Sequence, residues 1–356
     1  MRPKVIRELD GVLESRAILV PGHGKEEARM KRFSILTSVV LASLLLTAAG
    51  CSKDSSPTGT YREPTQEQQE IQAFLETSEY ALPEEFHSDQ SYEGQGVLGE
   101  VDESAVSQAP AEDADVLPWV RFVRLARVRP RVEYIIQVPG AGGEGTADVR
   151  VIHHIVGTFI VDGTRDQVVN PFFRHFTSMA VRNLMLRKTE GGWTVEKISP
   201  VDVVSTNDGG TTIRIAGMGT RGSSGTHPEV RLASPDTLLS LDELPRYAPG
   251  DTILVAARAA SSAEDGCWLF LHVHAASYGP HAYVFHWRIP FVRDASDPTL
   301  FRARLPLPNA ANGPRVIHMA VDGIGWNTLF GDETVVYNSR MWAMPCVIKG
   351  PAMTAN

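Results

Sequence analysis

Ala147-Asp148-Val149-Arg150-Val151-Ile152-His153-His154-Ile155-Val156-Gly157-Thr158-Phe159-Ile160-Val161-Asp162 is the stretch on which the fold assignment turns. Its core, Val149–Asp162, is a run of β-branched residues, a composition that suits a pleated and half-buried surface. A polar loop to Asn170 follows, then Phe172–Lys188, a break at Glu190-Gly191-Gly192, and Trp193–Val204. Apolar runs divided by glycine and asparagine turns predict hairpins. Upstream, Val120–Val138 is also β-rich, and Gly140–Gly145 marks a turn.

Further upstream, Thr65-Gln66-Glu67-Gln68 has the form of a capping box. Ile71, Phe74 and Leu75 recur at helical spacing, and Pro83 closes the segment. The prediction is a helix over 65–83. One helix followed by long strands gives an α+β domain, with the helix packed on a curved antiparallel sheet over 118–213.

Between helix and sheet lies residues 84–117. No cation occurs between Arg62 and Arg121, while Glu84–Asp115 holds ten carboxylates. That composition predicts an acidic linker. It lacks the spacing of a calcium loop.

From about Arg214 the texture changes. Gly217–Gly225 reads as part of a glycine-rich linker over 214–227, because no Lys-Ser/Thr or flanking helix makes it a phosphate cradle. Pro228–Ser240, Asp251–Ala259, Trp268–His274, Tyr283–Phe291, Leu300–Leu305, Val316–Val321 and Trp342–Ile348 read as strands. Seven short strands over 228–350 predict an all-β sandwich.

The Ala147–Val151, Met185–Lys188 and Gly191–Ile198 strands resemble the closing half of a nuclear transport factor 2-like, cone-shaped domain. The later strands, with Pro249-Gly250-Asp251 between two of them, resemble an immunoglobulin- or fibronectin type III-like sandwich. The resemblance implies a cone-like α+β domain followed by a β-sandwich, and a cone interior able to hold a small molecule.

Address is written more plainly than activity. Met30-Lys31-Arg32 precedes an apolar run, Ile35–Leu46, and Ala48-Ala49-Gly50 stand before Cys51. A positive start, a short apolar stretch and a small-residue cleavage site make a secretory signal. With the cysteine at the cut, it resembles the lipobox of bacterial lipoproteins. That implies removal of residues 1–50, covalent lipid on Cys51 and a flexible tether over 51–64. The apolar run is short for a bilayer span, which needs roughly 20 residues. Ser52, rather than Asp, after the acylated cysteine favours the outer over the inner membrane. Met30 reads as the true initiator.

The chain carries 34 Lys and Arg against 42 Asp and Glu; without the eight and five of these in residues 1–50, the balance is near −11. An acidic chain is not expected to bind nucleic acid, which needs a basic face. About 300 mature residues exceed one ordinary core and suggest two domains.

Candidate chemistry rests on a few residues. His272 and His274 leave one face of a strand, and His286 lies on the next, so the three could hold zinc or copper through imidazole nitrogens. Half-exposed sheet histidines are the plainer account. Cys267 and Cys346 are candidates for a disulfide, or for two separate buried thiols. His153, His154 and His175 could line a cone pocket, with Asp162 or Arg174 as acid/base partners. Arg121, Arg124, Arg127, Arg129 and Arg131 could grip phosphate or a lipid headgroup, or neutralise the acidic segment. Trp287, Trp326 and Trp342 could stack on a glycan. Ser223, Ser224 and Thr226 lack the surroundings of a nucleophile.

No catalytic motif emerges. The expectation is a lipid-anchored cell-envelope protein acting as a non-catalytic binding or spacer module, its partner an envelope protein or glycan. The alternatives are a small-molecule-binding or enzymatic cone domain, and a metal- or glycan-binding sandwich. No cofactor is expected beyond the lipid at Cys51 and the metal that the histidines would hold.

Overall fold

Two long strands organise the molecule. In a computed structural model of the chain, β4 (Thr146–Asp162) and β5 (Phe172–Thr189) pair antiparallel from Thr146↔Arg187 to Val161↔Phe172. Their side chains alternate, so Val149, Val151, Ile155, Phe159 and Val161 of β4 share one buried face with Phe176, Ala180, Leu184 and Leu186 of β5. Strands of 17 and 18 residues are far longer than one core requires. Each therefore serves two cores in succession. The structure describes residues 63–78, 80, 99–100, 120–126, 131–138, 145–164, 168, 170–225, 227–276, 284–307 and 316–348.

The first elements are α1 (Gln66–Leu75), β1 (Gly99–Glu100), β2 (Arg121–Ala126) and β3 (Arg131–Gln137). After β4 and β5 come β6 (Gly192–Ile198), β7 (Val201–Ser205), β8 (Ile213–Gly222), β9 (Val230–Leu232), β10 (Leu239–Ser240) and β11 (Arg246–Tyr247). The chain continues through β12 (Thr252–Ser261), β13 (Cys267–Ala276), β14 (Val284–Pro290), β15 (Val292–Arg293), β16 (Leu300–Pro306), β17 (Val316–Gly325), α2 (Trp326–Phe330) and β18 (Ser339–Ile348). All described elements belong to one compact unit, Glu63–Asn356.

Among the described residues, thirteen strands form one sheet whose main path is β1-β2-β4-β5-β7-β18-β17-β13-β14. Its pairings are antiparallel except β11 on β18. The path curls until its ends meet: Arg288 on β14 donates to the Phe122 carbonyl on β2 at 2.6 Å, and Phe122 stands edge-on to Phe270 of β13 at 4.9 Å. The result is an incomplete barrel with a filled interior. Gly157 on β4 belongs to that filling, since a Cβ there would lie 2.5 Å from the Phe176 ring and 2.6 Å from the Leu125 carbonyl. A second sheet, β15-β16-β12-β8-β9, packs its apolar face on the far side of β17, where Ile213 of β8 comes up to Gly323.

This architecture corrects the expected fold class. Among the described residues the molecule is mostly β, with helices of ten and five residues, and no helix layer there covers a sheet as in a cone domain. The helix predicted over 65–83 is α1, which ends at Leu75. Its capping box is formed: the Thr65 hydroxyl accepts from the Gln68 amide at 3.2 Å, and the Gln68 side chain accepts from the Thr65 amide at 2.9 Å. Ile71 and Leu75 bury against Val149, Leu184, Trp193 and Leu244, the second core at the far end of the β4–β5 ribbon. Fully burying two such side chains is worth roughly 3–6 kcal/mol, enough to seat a short helix but not to make a layer.

Nor does an independent sandwich follow a linker. Six of the strands expected there do form, yet β18 pairs with β7 through Met341↔Val203, joining the two halves of the chain in one sheet. The stretch expected as a linker over 214–227 contains most of β8, a central strand paired on both sides with β12 and β9. Gly222 sits where a neighbour comes close, since a Cβ there would run into the Asp251 carboxylate. Most of the acidic stretch 84–117 and all of residues 1–62 lie outside the described residues.

Candidate functional site

Inside the curl, the inward positions of β2, β13, β17 and β18 converge on charge rather than on hydrocarbon. Asp322 of β17 is fully buried, and its Oδ2 receives both Arg124 Nη2 of β2 at 2.7 Å and His272 Nε2 of β13 at 3.0 Å. Arg124 also donates from Nε to the Tyr337 hydroxyl at 2.7 Å, and that oxygen accepts from Ser339 of β18 at 2.8 Å. Ser205 of β7 donates to the Tyr337 carbonyl at 3.2 Å. Phe122, Phe159 and Tyr337 surround the Arg124 guanidinium at 5.6–5.8 Å.

A lone buried carboxylate is costly unless paired and hydrogen-bonded. Here burial raises the Asp322 carboxyl, but the Arg124 charge and the His272 hydrogen bond outweigh it and hold it below its ordinary value. His272 is lowered as well. Burial is the largest effect and lowers its imidazole, Asp322 opposes, and Arg288 and Arg124 add to the lowering. Neutral His272 and ionised Asp322 therefore face each other, with the Arg124 cation balancing the carboxylate. Burial raises the Tyr337 phenol, which stays protonated.

An imidazole beside a carboxylate is the pairing that orients a general base. In this protein both groups have zero exposure, so bulk solvent does not reach the imidazole. The arrangement ties β2, at one end of the sheet path, to β17 and β13 near the other.

The expected metal set is redistributed. His272 is committed to Asp322. His274 lies opposite His286 on β14 and His318 on β17, a row of three strand positions. Among the described residues, no group of three or more His, Cys, Asp or Glu is placed to hold a metal ion. His286 is described only by its place in β14.

The expected pocket set also parts. His153 faces inward and is buried, at the boundary between the two cores, beside the level of Ala180. His154 points outward, 3.4 Å from Glu133. His175 lies on the outer face of β5, where Thr158 is its neighbour at 3.5 Å. Alternation along β4 and β5 makes this separation obligatory. Arg174, expected as a pocket partner, is buried and donates to the carbonyls of Thr328, Gly331, Asp332 and Val335, bracing α2 and the loop after it.

Cys267 and Cys346 are buried free thiols. Cys267 stands opposite Gly325 and Cys346 opposite Ile317, near the two ends of β17, which puts them about 26 Å apart at the rise of an extended strand. A disulfide needs Cα atoms within about 7 Å. Trp342 is buried, and Trp326 packs on Phe330 with ring centroids 4.5 Å apart. Cys51 lies outside the described residues.

Asp322 and Tyr337 were not legible as a pair with Arg124. The available signal was Asp322 itself, a single carboxylate closing the apolar run Ile317–Val321, interrupted by His318. Such a residue on a central strand has to be buried and paired. Compared with protein-family models, curated proteins and solved structures, the chain matches none.

Proposed function

We propose that the protein is a lipid-anchored component of the cell envelope, in which the folded β unit is a non-catalytic binding or spacer module. The observation that carries this reading is the order Met30-Lys31-Arg32, Ile35–Leu46, Ala48-Ala49-Gly50, Cys51. A cysteine carrying two acyl tails holds a chain to a bilayer at about 0.8 kcal/mol per buried methylene, which is enough for stable attachment where one tail binds only marginally. The spacing supports it too, because the compact unit begins at Glu63, with residues 52–62 between it and the anchoring position. The placement of His272, Asp322 and Arg124 supports a bracing role for the most polar cluster inside the fold. Ser52 favours the outer membrane.

Mass spectrometry of the protein from its native membranes, after feeding cells an alkyne-tagged fatty acid, tests the anchor. The expected product begins at Cys51, carries the tag, and loses it in Cys51→Ser. Recovery of unmodified protein still bearing residues 1–50 would overturn the reading.

A further inference from the structure

The strands of the second sheet carry formal charge of one sign only. Strands β8, β9, β12, β15 and β16 carry seven arginines and no lysine, aspartate or glutamate. That is notable in a chain of formal charge −8. Arg293 turns inward over the Trp268 ring at 4.5 Å. The other six, Arg214, Arg221, Arg231, Arg258, Arg302 and Arg304, are exposed.

Register arranges them. Arg221, Leu254 and Arg304 form one row across three strands, and Arg231, Gly219, Ala256 and Arg302 form the next across four. Neighbouring strands lie about 4.8 Å apart, so Arg221 and Arg304 are separated by about 10 Å at their Cα atoms. Acids at the rim already neutralise three of the six: Glu229 pairs with Arg231, Asp294 with Arg302 and Asp297 with Arg258. Arg214, Arg221 and Arg304 make no ion pair among the described residues. Between the guanidinium groups lie Gly217, Ala256 and Ala260, which leave the floor low there, and Leu254, while the Glu229 carboxylate lies over Gly219, 3.0 Å from where a Cβ would stand.

We infer that this face binds the phosphate-bearing surface of an anionic lipid bilayer, holding the module flat against the membrane that carries its anchor. The inference rests on the envelope placement proposed above. Guanidinium forks match phosphate oxygens two at a time, and the face uses arginine throughout. No outward aromatic ring on these strands offers a stacking platform for bases or sugars, which separates this face from single-stranded nucleic-acid and glycan binders. A basic side chain near an anionic membrane contributes about 1 kcal/mol. The rest of the chain is acidic and repelled, so the arginine face is the one that turns to the bilayer.

The test is arginine footprinting with phenylglyoxal on the full-length protein bound to vesicles. Vesicles of phosphatidylcholine alone are compared with vesicles containing phosphatidylglycerol, and modification is read by mass spectrometry. Arg214, Arg221 and Arg304 should react at least fivefold more slowly on the anionic vesicles, while exposed Arg150, on β4, is unchanged. In the triple variant Arg214→Ala/Arg221→Ala/Arg304→Ala, the preference for anionic over neutral vesicles in flotation should fall by up to about a hundredfold, the equivalent of three such contributions. Circular dichroism confirms that the variant is folded, and single substitutions serve if it is not. Equal reactivity on both vesicles, failure to float with anionic vesicles, or an unchanged preference in the variants overturns the inference. Protection by soluble alginate but not by anionic vesicles overturns it in favour of an acidic glycan. Flotation with neutral vesicles reports the anchor alone, so the two readings fail separately.

Discussion

Arg124 Nη2 and Asp322 Oδ2 lie 2.7 Å apart, from β2 and β17, strands that are five pairings distant along the sheet path. Only the curl of the sheet brings them together. The pair therefore reports closure of the barrel in a way that no hydrogen bond between neighbouring strands can.

Breaking this pair from one side leaves an uncompensated buried charge. Arg124→Met should lower unfolding free energy by about 3–5 kcal/mol. The double variant Arg124→Met/Asp322→Leu should recover much of that loss, because neither charge then remains. Urea denaturation of both singles and the double measures the coupling. Additive losses would show that the ion pair does not connect the strands.

Acid should weaken the fold in two windows. The folded pKa of His272 is lowered from its ordinary value, so the unfolded chain takes up a proton first as pH falls. Its contribution is complete above about pH 6.5 and declines as pH falls toward the folded value. Asp322 is also lowered in the fold, so its contribution is complete above about pH 4 and is lost below that, through its folded value. Each group contributes a slope of about 1.4 kcal/mol per pH unit within its window. His272→Leu should flatten the stability profile just below pH 6.5, measured by urea midpoints across pH.

Both core thiols should survive oxidising conditions unpaired. Burial pushes Cys267 up to about 11 and raises Cys346 further, so neither forms thiolate readily. Thiol reagent should leave both untouched in the native protein and modify both in denaturant without reductant. A Cys267–Cys346 bridge in the unreduced protein would contradict the strand register.

Gly157→Ala should destabilise by about 1–3 kcal/mol, because the added methyl enters the space held by the Phe176 ring and the Leu125 carbonyl. Thermal unfolding of this variant beside Gly209→Ala separates packing from backbone strain. Gly209 sits in a turn at φ 91° with no neighbour within 4 Å of a Cβ.

The sequence by itself determined the local elements. β-branched runs between glycine turns specified β4 to β6, Thr65 and Gln68 specified the start of α1, and the residues up to Cys51 specify a proposed anchor. These follow from nearest neighbours along the chain. Tertiary structure alone decided which strands pair. Val203 finds Met341, β8 becomes a central strand where glycines suggested a linker, and Arg124 meets Asp322 while His272 is drawn from a metal set into an ion network. Those choices depend on burying apolar faces and buried charges that lie far apart in sequence, and strand alternation says which face a side chain takes but not what will stand opposite it.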